Sequence, residues 1–268
     1  APPVVLLHGL GATNASMLPV LTDLAEDFRV VAPDLPGFGA SDAPAWTYTA
    51  EQLFRWLRDF LDAADADGAV VIGNSLGAGS HWNWRCANRI RSTNSCCCAL
   101  TGVPPIPSTG AAGPVVAGGR RPVADDRCAA CGGDGGRKSM FARPDRVPQP
   151  WFEAAVDEFE IAMGHGARRR AALSAPINIY LEEPFGDSGF WDRLTTVRTP
   201  TLFLWGRRDR LVPSRFARHV SVAVPTAESV VLPDCGHVPQ LEMPDLTMGL
   251  TRRFLGSPGA TTPYRAHA

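Results

Sequence analysis

Residues 69–79, Ala-Val-Val-Ile-Gly-Asn-Ser-Leu-Gly-Ala-Gly, combine two signals that few folds can accommodate together. An apolar, β-branched run leads directly into Gly73-x-Ser75-x-Gly77. This reads as a strand passing into a helix through a sharp turn with a serine at its apex. Such a turn puts the serine in strained backbone angles. It also brings strand and helix so close that the residues two before and two after the serine must carry almost no side chain. The hydroxyl then points off the end of the sheet, and the new helix aims free N–H groups at the same place. Two glycines in five residues also occur in ordinary loops, so the rest of the chain must decide between a nucleophile and a chance turn.

The flanking sequence alternates. Val4-Val5-Leu6-Leu7 is a short, wholly apolar run of the kind found in a parallel strand covered on both faces, and His8-Gly9-Leu10-Gly11 follows it. A helix is expected over 16–27 and a second buried strand over 28–32. The segment from Asp34 to Asp42 is a Pro- and Gly-rich turn. Thr49 and Gln52 have capping-box spacing, and Leu53, Trp56, Leu57, Phe60, Leu61 and Ala64 then recur at helical intervals. Strand, helix, strand, helix, strand implies parallel strands with right-handed crossovers. The alternation resumes late, with strands expected over 200–205 and 229–232 and helices over 214–224 and 244–255. Between 103 and 192 it fails, although 151–163 and 168–181 carry helical patterns. An insertion over the carboxyl ends of the strands is expected there, where such sheets bind ligands. The expected division is a core in two parts, 1–102 and 193–256, an inserted lid at 103–192 and a loose tail at 257–268.

Four segments now stand in a fixed order: His8-Gly9-Leu10-Gly11, Gly73 to Gly77, Gly206-Arg207-Arg208-Asp209 through Pro213, and Asp234-Cys235-Gly236-His237. Together they resemble the α/β-hydrolase fold family, whose catalytic triad runs Ser, then Asp or Glu, then His along the chain. The Asp34 to Ser41 segment resembles that family's turn after its second conserved strand. The resemblance implies an α/β fold, a mostly parallel central sheet flanked by helices, with a helical lid. The one or two antiparallel strands with which the family usually begins have no room before Val4.

Carried over position by position, the resemblance makes Ser75 the nucleophile, Asp209 the acid and His237 the base. A serine hydroxyl attacks poorly until an imidazole accepts its proton, and the imidazole needs a buried carboxylate to fix its tautomer. Arg207, Arg208 and Arg210 around Asp209 would favour its ionised form. Asp234 is the rival acid, read as a turn-former because it lies three residues from the histidine. Backbone N–H groups of Leu10 and Leu76 match the family's oxyanion donors, and His8 resembles a structural histidine. Trp151, Phe152, Phe159 and Trp191 are expected either in an apolar acyl pocket or in the core of the lid.

The implied activity is hydrolysis of a carboxylic ester through an acyl-enzyme on Ser75, of carboxylesterase or lipase type. The alternative is hydrolysis of carbon–carbon bonds in ring-cleavage products. Enzymes of that kind resemble the Gly-Asn-Ser elbow and the Asp34 to Asp42 segment, but tend to carry Trp where this chain has Val238. A third reading is an impaired member kept for binding. An aspartate in place of Ser75 would have implied dehalogenase or epoxide hydrolase chemistry instead.

Composition narrows the partners. A net charge of −1 gives no attraction to nucleic acid, so a small-molecule ester is the expected partner. No apolar run is long enough to span a membrane and no charged-then-apolar leader is visible, so stable membrane insertion is not expected. Six of the seven cysteines lie between Cys86 and Cys131, unlike a disulfide framework, which points to a reducing cytoplasm. Cys128-x-x-Cys131 lacks a second pair, so neither metal nor cofactor is expected. Oligomeric state carries no signature in the sequence.

Residues 80–139 depart from the pattern. The helix after Ser75 should be squeezed against the sheet, yet His81 to Arg91 carries three arginines and two asparagines, costly to bury without partners. A strand over Cys96–Leu100 is expected next, followed by a Pro/Gly/Arg/Cys-rich run. A GC-rich gene read out of frame gives such a composition shift; a gene sequence without a compensating insertion and deletion would remove that explanation. The alternative is a real, polar helix ahead of the lid.

Overall fold

All four side chains of strand β1 (Val4–Leu7) are buried, as a strand with helices over both faces requires. The computed structural model describes residues 2–79, 97–102 (backbone only), 139–180 and 190–256. After β1 come a 3-10 turn (Asn14–Met17), α1 (Leu18–Leu24), β2 (Val30–Val31), α2 (Ala50–Ala63) and β3 (Val70–Ser75). Helix α3 starts directly after Ser75 and is described over 76–79. Then follow β4 (Cys97–Gly102), α4 (Gln149–Gly164), α5 (Gly166–Tyr180) and α6 (Phe190–Leu194). The chain continues through β5 (Thr201–Gly206), α7 (Phe216–Ala223), β6 (Glu228–Leu232), α8 (Pro239–Glu242) and α9 (Pro244–Leu255).

Among the described residues six strands form one sheet in the order β2-β1-β3-β4-β5-β6, every pairing parallel. The direction of winding reverses between β1 and β3. The loops leaving the carboxyl ends of these two strands therefore diverge and open a crevice, the place where ligands bind in open α/β sheets. His8-Gly9-Leu10 and Ser75 stand at that crevice. Side-chain alternation divides the core between the two faces. Val4, Leu6, Val70, Ile72, Leu202 and Leu204 pack with α1 and α9 through Val20, Leu24, Met248 and Leu250. Val5, Leu7 and Val71 pack with α2 through Leu53, Leu57 and Leu61. Phe203 and Trp205 pack with α6 and α7.

Helix α2 starts where its capping box predicts. Gln52 N–H donates to Thr49 Oγ1 (3.3 Å) and Thr49 N–H to Gln52 Oε1 (3.1 Å). Burying each leucine on its inner face stabilises the fold by about 1.5–3 kcal/mol, more than its intrinsic helix propensity supplies. The expected second strand is shorter than the sequence suggests and only half-buried. Among the described residues β2 is an edge strand paired with β1 alone, so neither its length nor its burial is enforced from both sides. The strand expected over the cysteine run is present as β4, between β3 and β5. Cys128, Cys131 and the polar segment from His81 to Arg91 lie outside the described residues.

Helices α4 and α5 fall close to their expected bounds and lie against loops at the carboxyl ends of the strands. Phe152 of α4 packs edge-to-face on Phe141 and in one cluster with Val147 and Val238. Glu158 accepts a hydrogen bond from Thr13 Oγ1 (2.9 Å). Ala171 and Ala175 of α5 pack with Leu35, Phe38 and Tyr48.

Candidate active site

Ser75 is the last residue of β3 and adopts φ +49°, left-handed backbone in a non-glycine residue. Such a conformation costs about 1–3 kcal/mol and persists only where the surroundings enforce it. Here the β3–β4 register shifts between Asn74 and Ser75, and helix α3 begins immediately afterwards. The two glycines of the motif are required by contact. A Cβ on Gly73 would stand 2.5 Å from Ala78 N, and one on Gly77 2.4 Å from Leu7 O.

The loop after β1 runs against this elbow. A Cβ on Gly9 would stand 3.0 Å from Asn74 Oδ1 and 3.4 Å from the Ser75 Cβ. Leu10, half-buried on the α2 side of the core, and Leu76, buried at the start of α3, therefore sit on the two segments that flank the serine. His8 fixes that loop. Its Nε2 accepts the Leu35 N–H (2.9 Å), so Nδ1 carries the proton and donates to Gly9 O (2.7 Å). Complete burial lowers its pKa, against the Gly9 O hydrogen bond and the Asp34 carboxylate, which act in the other direction. Asp34 ties down the next turn, accepting N–H groups from Asn14 (2.7 Å) and Ala40 (2.8 Å).

Asp209 and His237 come from the loops after β5 and β6, adjacent strands in the sheet. These loops are stitched together by Arg207 N–H to Leu232 O (2.9 Å) and Arg208 N–H to Cys235 O (3.0 Å). Their approach leaves no space at Gly206, where a Cβ would stand 1.9 Å from Gly236 O. Asp209 is buried. Its Oδ1 accepts the N–H groups of Leu211 and Val212, each at 2.8 Å, and its Oδ2 stands 2.8 Å from His237 Nδ1. A carboxylate only accepts, so His237 Nδ1 donates, which leaves Nε2 as the basic nitrogen. The backbone of His237 is held as well: its N–H donates to Met140 O (2.6 Å), and its carbonyl accepts from Asn74 Nδ2 (3.2 Å). Asn74 directly precedes Ser75, so this bond ties the histidine loop to the serine turn.

Asp234 takes a different place. Arg146 binds it through both its carbonyl (2.9 Å) and its carboxylate (2.7 Å), with Arg208 at 3.2 Å and Arg143 at 3.6 Å. It anchors the segment 140–146 to the histidine loop and is not bound to the imidazole. Arg208 thus faces Asp234 rather than Asp209, whose carboxylate is held by backbone N–H groups. Of the four aromatics singled out in the sequence, Phe152 is core with Trp151 packed partly buried against the same cluster, Phe159 stands 3.8 Å from where a Gly11 Cβ would lie, and Trp191 packs on Phe190 and His219. Asn74, Met140 and Glu242 were not legible as site residues. For Glu242 the signal was present: a lone acid in the otherwise uncharged run Val238–Met243. Among the described residues, no group of three His, Cys, Asp or Glu side chains is placed to hold a metal ion. No helix among them is long and apolar enough to cross a membrane.

Residues 4–249 match the model of the alpha/beta hydrolase family. Over 261 residues the chain is 27% identical to the 2-hydroxy-6-oxo-6-(2'-aminophenyl)hexa-2,4-dienoic acid hydrolase of Metapseudomonas resinovorans, covering 94% of this chain and 83% of that one. It is 29% identical over 267 residues to the pimeloyl-(acyl-carrier protein) methyl ester esterase of Aeromonas hydrophila, covering 95% and 96%. The crystal structure of a His-tagged serine hydrolase involved in carbazole degradation superposes with a TM-score of 0.74 at 22% identity, covering 96% of this chain and 91% of that one. At that identity the likeness is one of fold.

Proposed function

The chain belongs to the alpha/beta hydrolase family, and from that premise we propose that it is a serine hydrolase cleaving carboxylic esters through an acyl-enzyme on Ser75. The observation that carries this reading is the buried 2.8 Å bond between His237 Nδ1 and Asp209, on a histidine whose carbonyl is bound by the residue next to the nucleophile. His237 Nε2 takes the proton of Ser75 Oγ as the oxygen attacks the ester carbonyl. The backbone N–H groups of Leu10 and Leu76 face the oxyanion, each worth about 3–4 kcal/mol of barrier. As the tetrahedral intermediate collapses, the C–O bond breaks and the imidazolium returns its proton to the departing alkoxide. Water, deprotonated by His237, then attacks the acyl-enzyme; the acid leaves and Ser75 recovers its proton.

An alkoxide needs one proton to leave, and the imidazolium already holds it. A carbon leaving group must first be made stable enough to depart, which adds a proton transfer to the substrate before the bond is cut. His8 and Asp34, on the loops after β1 and β2, are bound to backbone groups. The second reading, carbon–carbon bond hydrolysis, is favoured by the M. resinovorans relative, a dienoic acid hydrolase aligned along 94% of this chain.

A fluorophosphonate probe with mass mapping tests the proposal, run beside p-nitrophenyl esters of short and long acyl chains. Labelling at Ser75 with ester turnover is expected. The Ser75→Ala protein should take up no label and turn over esters at least about a thousandfold more slowly. Labelling without ester turnover, together with hydrolysis of a 2-hydroxy-6-oxo-dienoate, establishes the second reading. No labelling leaves neither.

A further inference from the structure

Glu242 takes no part in the chemistry above, yet its side chain is buried, with 1% of the residue exposed. It ends α8, the single turn that follows the histidine loop. A buried carboxylate is retained only where its oxygens find donors. Here both donors are backbone groups, one from the histidine loop and one from the segment 140–146 that packs on it. Oε2 accepts the N–H of Gly236 (2.8 Å), the residue before His237, and Oε1 accepts the N–H of Arg143 (2.7 Å). Arg143 lies three residues beyond Met140, whose carbonyl receives the His237 N–H.

We propose that Glu242 is a positioning residue for His237: its carboxylate clamps the Gly236 N–H to the segment 140–146 and so sets the imidazole between Asp209 and Ser75. This rests on the triad reading above. The backbone on the amino side of His237 is then fixed twice, through Glu242 at residue 236 and through Met140 at residue 237. Asn74 fixes the carbonyl side. An imidazole that must receive a proton from one atom and return it to another within a turnover tolerates little displacement, and a shift of about 1 Å can cost a hundredfold in rate. The two N–H donors meet different oxygens of Glu242, so both side-chain atoms must accept. The amide of a glutamine offers one oxygen and turns an NH2 towards the second donor.

The Glu242→Gln and Glu242→Asp proteins test this beside the parent and Ser75→Ala. The readouts are p-nitrophenyl butyrate turnover and fluorophosphonate inactivation, with melting midpoints to confirm folding. Expected is a loss of about tenfold to a hundredfold in kcat and in the limiting inactivation rate, with KM and the probe's half-saturation within about threefold of the parent's. Such a split places the defect in the chemical step. A residue that merely supports the fold would lower the melting midpoint and leave the rate per labelled site unchanged. A folded Glu242→Gln protein with the parent's rates overturns the proposal, as does a chain that folds with neither replacement. Should Ser75→Ala label and turn over like the parent, the triad reading itself fails. If Ser75→Ala is inert and Glu242→Gln is unaffected, only the role of Glu242 falls.

Discussion

Two aspartates compete for the role of triad acid in the sequence, and their surroundings separate them. Asp209 is buried, with one oxygen on two backbone N–H groups and the other on His237. Asp234 is partly exposed and faces Arg143, Arg146 and Arg208. Asp209→Asn keeps the shape but can turn an NH2 towards Nδ1, favouring the wrong tautomer, so kcat should fall by about a thousandfold to ten-thousandfold. Asp234→Asn should stay within about tenfold of the parent, since it loosens a half-exposed ion-pair cluster. Ester turnover or probe labelling rates of the two proteins check this; equal losses would mean the acid has been misassigned. The motif spacing in the sequence singled out Asp209, but its partners are backbone atoms at Leu211 and Val212. Backbone donors have no residue-type signature, so these bonds were not legible beforehand.

At the level of elements, α2 was the most legible. Its inner face and its cap are local patterns of spacing three and four, and Thr49 with Gln52 forms the expected reciprocal pair. Thr49→Ala removes the acceptor for the Gln52 N–H and should cost about 1 kcal/mol of stability. Denaturant unfolding should show the loss while turnover per labelled Ser75 is unchanged. Strand β2 was legible in type but not in extent, because length and burial at a sheet edge depend on what covers it. That the loops after β5 and β6 meet was expected from the pairing of Asp209 with His237, but the point at which they touch was not legible. Gly206 reads in sequence as an ordinary turn glycine, whereas it is a contact point with Gly236, thirty residues on.

For the molecule as a whole, the topological switch between β1 and β3 places the His8 loop beside the serine turn, and burial of His8 links stability to pH. Its folded pKa lies below the ordinary value of about 6.5. Below 6.5 the unfolded chain takes up a proton that the folded chain resists, so stability rises with pH in that window. The stabilisation is fully present above 6.5 and is lost as pH falls from there through the lowered folded value. Melting midpoints measured from pH 7.5 down to 5 should decline, and His8→Gln should flatten the part of the slope that His8 causes. The sequence by itself determined the alternation of strands and helices, the sharp turn at Ser75 with its two small flanking residues, and the order of Ser75, Asp209 and His237. The first two follow from local periodicity and from steric limits within a few residues; the order of the three side chains was pointed to by the family resemblance. Only the tertiary structure decided that Asn74, Met140 and Glu242 hold the histidine loop and that Asp234 is an anchor. Those roles depend on donors and acceptors brought together from distant segments, and chain connectivity places no constraint on which of them meet until the sheet has formed.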